Sequence, residues 1–353
     1  MKILIIQQKM IGDVLTTSIL FEAIKHKYPH AELHYLINSH TFPVVENNSF
    51  IDNFIFFTPE HEKSSLKVFK LGWNLRQQNY DVVIDVYSKL SSNLISLLSK
   101  AKFKISLDKG FNKFIYDYRY KSKDCAETNA GLAIENRLQL LKPINIDDSK
   151  IYRPKIYLTD SEKINAKKLL KNSKIDLNQS IVMISVLGSC AEKTYPHRYM
   201  AQVIDLITNQ SPNIQILFNY TPNQLKEAEQ IYNLCHLKSQ IHFDIFGKKL
   251  SEFLAITSHC IAVIGNEGGV INMAKALKIP TYAIFSPWIE KEVWNMFDDG
   301  KNHISVHLKD FEPEIYKNVD RYKDLKQEAK LLYENLKPDH FFNSLEKFIA
   351  NFS

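Results

Sequence analysis

The stretch Lys2-Ile-Leu-Ile-Ile-Gln7, followed at once by Gln8-Lys-Met-Ile-Gly-Asp-Val-Leu15, decides how the chain is read. Ile3, Leu4, Ile5 and Ile6 in a row suit a strand buried on both faces. A tight turn at Ile11-Gly12-Asp13 and apolar positions at helical spacing to about Lys27 complete a strand, loop and helix. Gly12 lacks a Cβ, so its backbone can turn sharply or come close to a ligand. Asp13 has two readings at this point: a helix cap, or an acid at the mouth of a cleft.

The same alternation continues. Strands are expected at Glu32–Ile37, Asn53–Phe57, Tyr80–Val86 and Lys102–Leu107, with helices at Ser64–Gln78 and Leu90–Lys100 between them. Strands separated by crossover helices form a parallel sheet. A polar stretch from Ile144 to Lys155, with Pro143 before it and Pro154 inside it, reads as a hinge. Beyond it the pattern restarts, with strands near 180–187, 214–219, 241–243, 260–264 and 281–285 and helices between. The expected architecture is α/β, two Rossmann-like doubly wound domains with a cleft between them. The domains are 1–150 and 151–337, followed by a helix over 338–353.

Composition narrows the class. With 353 residues, 45% hydrophobic and 24% charged, the chain is a folded globular protein of two domains. No run of about 18 apolar residues predicts a membrane-spanning helix, and the opening strand is not a signal peptide, so a cytoplasmic location is expected. Cys125, Cys190, Cys235 and Cys260 are scattered, without the paired spacing of a zinc site or disulfide framework. A net charge of +6 permits an anionic substrate or membrane surface, and no nucleic-acid-binding signature accompanies it. Between Lys100 and Lys123 eight basic residues face only Asp108 and Asp117, with Phe111, Phe114, Tyr116, Tyr118 and Tyr120 interleaved. That segment is either a solvated irregular surface or a basic, aromatic face toward anionic lipid, where each cation near the surface contributes about 1 kcal/mol.

Two further stretches carry chemistry. In Val263-Ile-Gly-Asn-Glu-Gly-Gly-Val270 a strand ends, a glycine-rich loop follows and a helix begins near Gly269. Free N–H groups at a helix start suit a diphosphate, and Gly268 and Gly269 permit close approach. Glu267 would repel phosphate, so it suits sugar hydroxyls or loop ordering; Asn266 or Glu267 could also simply cap the helix. In Ser185-Val-Leu-Gly-Ser-Cys-Ala-Glu-Lys-Thr-Tyr-Pro196 the chain leaves another strand through Gly188. Lys193 there lies near a sheet edge of the kind that binds ligands, either neutralising a diphosphate or standing as an ordinary loop lysine. Ser189 either donates to phosphate or fills a turn.

Several chemistries are absent. The chain has no Walker A loop, no Gly-x-Gly-x-x-Gly after a leading strand and no Gly-x-Ser-x-Gly elbow. His26, His30 and His34 are four apart, but Pro29 interrupts a shared helix. No Asp-x-Asp pair offers itself for a metal on a nucleotide diphosphate.

Together the three stretches resemble glycosyltransferase family 9, the bacterial lipopolysaccharide heptosyltransferases. Ile11-Gly12-Asp13 matches that family's opening turn. Lys193-Thr-Tyr-Pro196 matches its Lys-x-Trp-Pro with tyrosine for tryptophan, and Asn266-Glu-Gly-Gly-Val-Ile-Asn-Met-Ala-Lys-Ala276 matches its Asn-Asp-[Thr/Ser]-Gly-x-x-His-x-Ala-x-Ala. The resemblance implies a GT-B fold and an inverting enzyme without metal or other cofactor. It moves a heptose, with ADP-heptose the expected donor, to a phosphorylated glycolipid acceptor. Asp13 is then the general base, while Lys193, Gly188, Ser189 and the Gly268–Gly269 helix start hold the departing diphosphate. Gly12, Asn266, Glu267 and Asn272 complete the expected binding set, and the last helix is expected to cross back to the first domain. Such an enzyme would be cytoplasmic with peripheral contact at the inner membrane. Asn272 replaces the family's histidine and Glu267 its aspartate, and Asn219–Gln224 lacks the family's Gly-x-x-x-Glu character. A non-catalytic nucleotide-sugar-binding protein and a sugar-nucleotide epimerase are the alternatives.

Overall fold

Two parallel sheets organise the chain. The computed structural model describes residues 1–352, which divide into one unit over Met1–Tyr157 and a second from Leu158 onward. The first sheet holds β1 (Lys2–Ile6), β2 (Glu32–Asn38), β3 (Asn53–Phe57), β4 (Val82–Asp85), β5 (Phe103–Leu107) and β6 (Tyr118–Tyr120), in the order β3-β2-β1-β4-β5-β6. Ile3 pairs with both Leu33 and Val82 in register, so β1 lies at the centre. The second sheet holds β7 (Ile181–Ser185), β8 (Gln215–Asn219), β9 (Ile241–His242), β10 (Ala262–Asn266), β11 (Thr281–Ile284) and β12 (His303–Val306), ordered β12-β11-β10-β7-β8-β9. Counted within its own unit, each sheet runs 3-2-1-4-5-6. This is a doubly wound α/β arrangement in both halves.

The central strands are buried throughout: Ile3–Ile6 of β1 and every residue of β4, β7 and β10. Helices on both sides make a strand of this kind uniformly apolar, which is why the sequence pattern is legible there. The order reverses between β1 and β4 and between β7 and β10. Connections leave in opposite directions at such a switch point and open a crevice at the carboxyl ends of the strands. The three stretches singled out from the sequence leave three of those four strands: β1, β7 and β10.

Some expectations need correction. The first helix is two, Ile11–Thr17 and Ile19–Lys27, broken at Ser18. The Ser18 hydroxyl donates to the Leu15 carbonyl (2.7 Å), a local bond that competes with the helix ladder. The hinge residues up to Tyr157 belong to the first unit. Lys155 pairs with Glu22 (2.6 Å), the Tyr152 ring lies 5.5 Å from His26, and Asn47 donates to the Tyr157 carbonyl (3.0 Å). The final helix, Phe342–Ala350, packs its apolar face within the second unit. Leu345, Phe348 and Ile349 sit in the core of the second unit, with the Tyr282 ring 5.6 Å from Phe348. β6, β12 and a helix over Leu132–Leu138 were not anticipated. β6 is three mostly exposed residues, too short to show a period.

The basic segment is less open than its composition suggests. Lys102 pairs with Asp81, Lys104 with Asp117, Arg119 with Asp108, and Lys123 with Glu127 and Glu135. Tyr116 turns inward and donates to the buried Asp85 carboxylate (2.5 Å), while Phe111 and Phe114 are exposed.

Candidate active site

Asp13 is not a cap. The cap residue of its helix is Met10, so Asp13 occupies the third helical position, and its carboxylate is engaged elsewhere. Arg137, from the Leu132–Leu138 helix, donates through Nη2 to Asp13 Oδ1 at 2.8 Å. The same guanidinium donates through Nε to Thr17 (2.9 Å) and through Nη1 to the Ala133 carbonyl (2.7 Å). The cation is thus fixed by three bonds, and charged bonds of this kind are each worth about 1.5–3 kcal/mol. The Arg137 side chain is 10% exposed and that of Asp13 30%, so the acid is the member offered to solvent. Gly12 supplies a carbonyl that accepts from Thr16 (2.7 Å), and the Tyr35 hydroxyl donates to the Val14 carbonyl (2.8 Å), holding the turn against the sheet.

Beside this turn, at the carboxyl ends of β1 and β4, lies a cavity of about 520 Å³ lined by Gln8, Lys9, Glu62, Tyr87 and Ser91, among others. Gln8 is almost wholly buried. Its Oε1 accepts from Ser91 (2.7 Å), but its Nε2 has no partner among the described residues. A buried donor without an acceptor costs about 1–3 kcal/mol, and a ligand oxygen in the cavity would relieve it. Lys9 pairs with Glu62 at 2.7 Å on the same wall.

In the second unit the Lys193 ammonium lies 2.9 Å from Glu267 Oε1, in contact as charges but not aligned as a hydrogen bond. Lys193 is 23% exposed and Glu267 7%, so here the cation is the member offered. Trp288 backs the loop. Its indole donates to the Glu192 carbonyl (2.9 Å), and its ring lies 5.6 Å from Lys193 Nζ and 5.4 Å from Lys326 Nζ. Gly188 is required by close approach, because a Cβ there would meet the Lys193 carbonyl oxygen at 2.3 Å. Ser189 is exposed on the same loop.

Asn266 plays a different part from the one expected. It is fully buried, accepting from the Tyr195 N–H (2.7 Å) and donating to the Ser185 carbonyl (2.9 Å), so it ties the Lys193 loop to β7 and touches no open space. Gly268 caps the Gly269–Ala276 helix at φ +145, where side chains are disfavoured. A Cβ on Gly268 would meet nothing within 4 Å and one on Gly269 only Met273 at 4.0 Å, so the helix start faces open space with no side-chain cap. Asn272, half-buried, lies one turn along. Tyr195, standing where tryptophan was expected, is buried against Tyr199, Tyr333 and Phe341 and donates to the Leu336 carbonyl (2.5 Å). Gln224, at the end of the Asn219–Gln224 segment, donates to the Gly188 carbonyl (2.8 Å). Among the described residues no group of three or more His, Cys, Asp or Glu could hold a metal ion.

Lys193 and Glu267 meet as an ion pair, Gly188 and Ser189 lie on the Lys193 loop, and Asn266 is withdrawn from the expected binding set as a structural tie. What the sequence reading missed are Arg137, Gln8 and Trp288. Arg137 lies 124 positions from the acid it holds, in a helix with no motif of its own.

Comparison with known proteins identifies the family and the fold. The family model for glycosyltransferase family 9 (heptosyltransferase) matches residues 68–317. Lipopolysaccharide heptosyltransferase 1 of Campylobacter coli is 25% identical over 294 residues, covering 81% of this chain and 84% of that protein. The fold is that of the family 9 glycosyltransferase from Veillonella parvula (TM-score 0.80, 14% identity, covering 99% and 97% of the two chains). It is also that of the E. coli ADP-heptose lipopolysaccharide heptosyltransferase II (TM-score 0.75, 15% identity, 99% of each). With two Rossmann-like sheets and a family match over most of its length, the chain belongs to glycosyltransferase family 9, has the GT-B fold and is a glycosyltransferase.

Proposed function

We propose that this enzyme moves a heptose from ADP-heptose to a lipopolysaccharide core or related surface-glycan acceptor, inverting the anomeric centre and using no metal. One observation carries the reading: the two ion pairs are mirror images. At the switch point of the first sheet a carboxylate is offered and its cation buried; at that of the second an ammonium is offered and its acid buried. Sugar transfer requires one of each.

Asp13 Oδ2 takes the proton of the acceptor hydroxyl as its oxygen attacks the anomeric carbon. The bond from that carbon to the diphosphate breaks on the opposite face, and its electron pair leaves on a phosphate oxygen. Lys193 and the open helix start at Gly268–Gly269 stabilise that charge, with Ser189 as a further donor. Glu267 restrains Lys193 and is released toward sugar hydroxyls when phosphate takes the ammonium. Asn272 sits by the donor sugar, and the acceptor's sugar uses the Gln8 cavity. The enzyme works in the cytoplasm with peripheral contact to the inner membrane, where a lipid-linked acceptor is found. Names of relatives support the donor and acceptor classes: the E. coli structure is of an ADP-heptose transferase and the C. coli protein of a lipopolysaccharide heptosyltransferase.

The test is transfer from ADP-, UDP- and GDP-linked sugars to a truncated lipopolysaccharide acceptor. Transfer from ADP-heptose with inversion, seen by the anomeric coupling in the product, is expected. Turnover of donor in the absence of acceptor would point instead to an epimerase.

A further inference from the structure

The helix Leu90–Leu98 leaves large apolar side chains on its outer side. It buries Ser92, Asn93 and Ser96 beside the core residue Ile95, with the buried Ser99 just past its end. There the Tyr116 hydroxyl lies 2.8 Å from Asn93 and bonds the buried Asp85, which Ser96 also reaches at 3.4 Å. Leu90 is 83% exposed and Leu97 is exposed, while Leu94 between them is half-buried, its inner edge against the core. Spacings of four and three residues place these on one stripe. A helix that meets only water has the reverse arrangement.

Its neighbour repeats the anomaly. On the helix Ser65–Leu75, Leu66 is 80% exposed and Phe69 and Trp73 are exposed too. At the turn of an α-helix these three fall within about 60° of one another. The Phe69 and Trp73 rings stack at 5.9 Å. The two helices lie in contact, since a Cβ on Gly72 would meet Leu98 Cδ1 at 3.0 Å and Ile95 Cα at 3.2 Å. The stripes therefore belong to one face of the first unit.

The two helices themselves carry one sign of charge, with Glu60 from the preceding segment paired to Lys67 (2.6 Å). No Asp or Glu occurs from Lys63 to Tyr80 or from Val86 to Leu107, while Lys63, Lys67, Lys70, Arg76, Lys89 and Lys100 do. Arg76 stacks over Trp73 at 5.0 Å, and Lys70, Lys89 and Lys100 enter no ion pair among the described residues. A second copy of the chain, meeting this face by a two-fold axis, would set these cations against themselves. An anionic bilayer opposes none of them and takes the apolar side chains between its headgroups.

We propose that the Ser65–Leu75 and Leu90–Leu98 helices form the surface by which the enzyme lies on an anionic membrane. This rests on the peripheral-membrane part of the proposed function and moves the contact away from the Lys100–Lys123 segment. The placement is coherent with the acceptor cavity, because Ser65, Val68, Leu90, Ser91 and Leu94 of these helices also line it. A glycolipid could present its sugar to Gln8 while its acyl chains stay in the bilayer.

The test is co-sedimentation of the full chain with phosphatidylcholine vesicles containing or lacking phosphatidylglycerol. Three proteins are compared: wild type, Leu66→Gln/Trp73→Gln/Leu90→Gln, and Lys109→Gln/Lys113→Gln/Lys121→Gln. Wild type should bind the anionic vesicles and lose binding at high salt. The helix-face variant should bind about tenfold or more weakly while keeping its melting temperature, and the loop variant should bind nearly as wild type. Loss confined to the loop variant would overturn the helix face and keep membrane contact. Absence of binding by wild type would overturn both. A dimer in sedimentation velocity that the helix-face substitutions dissolve, with no vesicle binding, would assign the face to a second copy instead.

Discussion

The two switch points are built to the same plan with the charges exchanged. In the first unit a buried arginine steadies a carboxylate that reaches solvent; in the second a buried glutamate steadies a lysine that does so. In both cases the buried partner comes from elsewhere in the chain: Arg137 from a helix far from Asp13, Glu267 from the end of a different strand. A sheet edge of this topology thus supplies only a place. The sign of the charge offered there is decided by which member of the pair the packing covers, and breaking a pair from the buried side leaves the offered group without its restraint.

The largest effect tests the offered groups. Asp13→Asn removes the proposed base without changing shape and should lower kcat by about 10²–10⁴-fold, with donor affinity by calorimetry unchanged. Retained turnover would sever Asp13 from the chemistry. Lys193→Met should cost about 10²–10³-fold and weaken nucleotide-sugar binding as well, because the cation acts on the diphosphate before and during bond breaking. A loss in Lys193→Met that left donor affinity untouched would break the proposed symmetry of roles.

The buried partners come next. Arg137→Met should lower kcat about 10- to 100-fold by letting Asp13 wander, with Arg137→Lys intermediate. Placed on the Asp13→Asn background, it should cost nothing further in residual turnover. An additive double variant would make Arg137 a merely structural residue. Glu267→Gln should act more mildly, about 10-fold, and chiefly on KM for the donor.

The smallest effect separates the units by pH. His307, buried in the second unit, has its imidazole pushed down to about 4 by burial. Its folded-state value lies below the unfolded 6.5, so the unfolded chain takes up the proton first and acid favours unfolding. Stability from this group is complete above about pH 6.5 and falls as pH drops toward 4, by about 1.4 kcal/mol near pH 5.5. Asp85, buried in the first unit, has its carboxyl raised, mainly by burial, so its contribution has the opposite sign and is lost as pH rises through that raised value. Hydrogen exchange read by peptide should show acid loosening β11 and β12 while β4 is spared. His307→Asn, which keeps an acceptor for the Lys309 N–H (3.0 Å in the wild type), should flatten the trend.

Much of this molecule is legible in its sequence alone. β1, β4, β7 and β10 are near-continuous apolar runs because helices cover both faces of their sheets, and that burial is recorded residue by residue in the chain. Gly12, Gly188, Gly268 and Gly269 mark the loops leaving β1, β7 and β10, and Gly188 and Gly268 meet demands of backbone contact or dihedral angle that only glycine satisfies. Asp13 and Lys193 stand out as candidates on these grounds, and the order of the motifs places them in separate domains. Such features rest on local periodicity and local backbone geometry, which sequence states directly.

Tertiary structure alone decided the rest. That Asp13 is held by Arg137 instead of capping its helix, that Glu267 restrains Lys193, and that Asn266 is a buried tie depend on which loops the strand order brings together. The same is true of the Leu90–Leu98 helix, whose sequence reads as an ordinary core helix until Ser92 and Ser96 are found inside near Asp85 and Leu90 and Leu97 outside. Ion pairs and buried polar clusters join residues tens of positions apart. Their partners follow from the fold of the whole sheet, and no spacing along the chain records them.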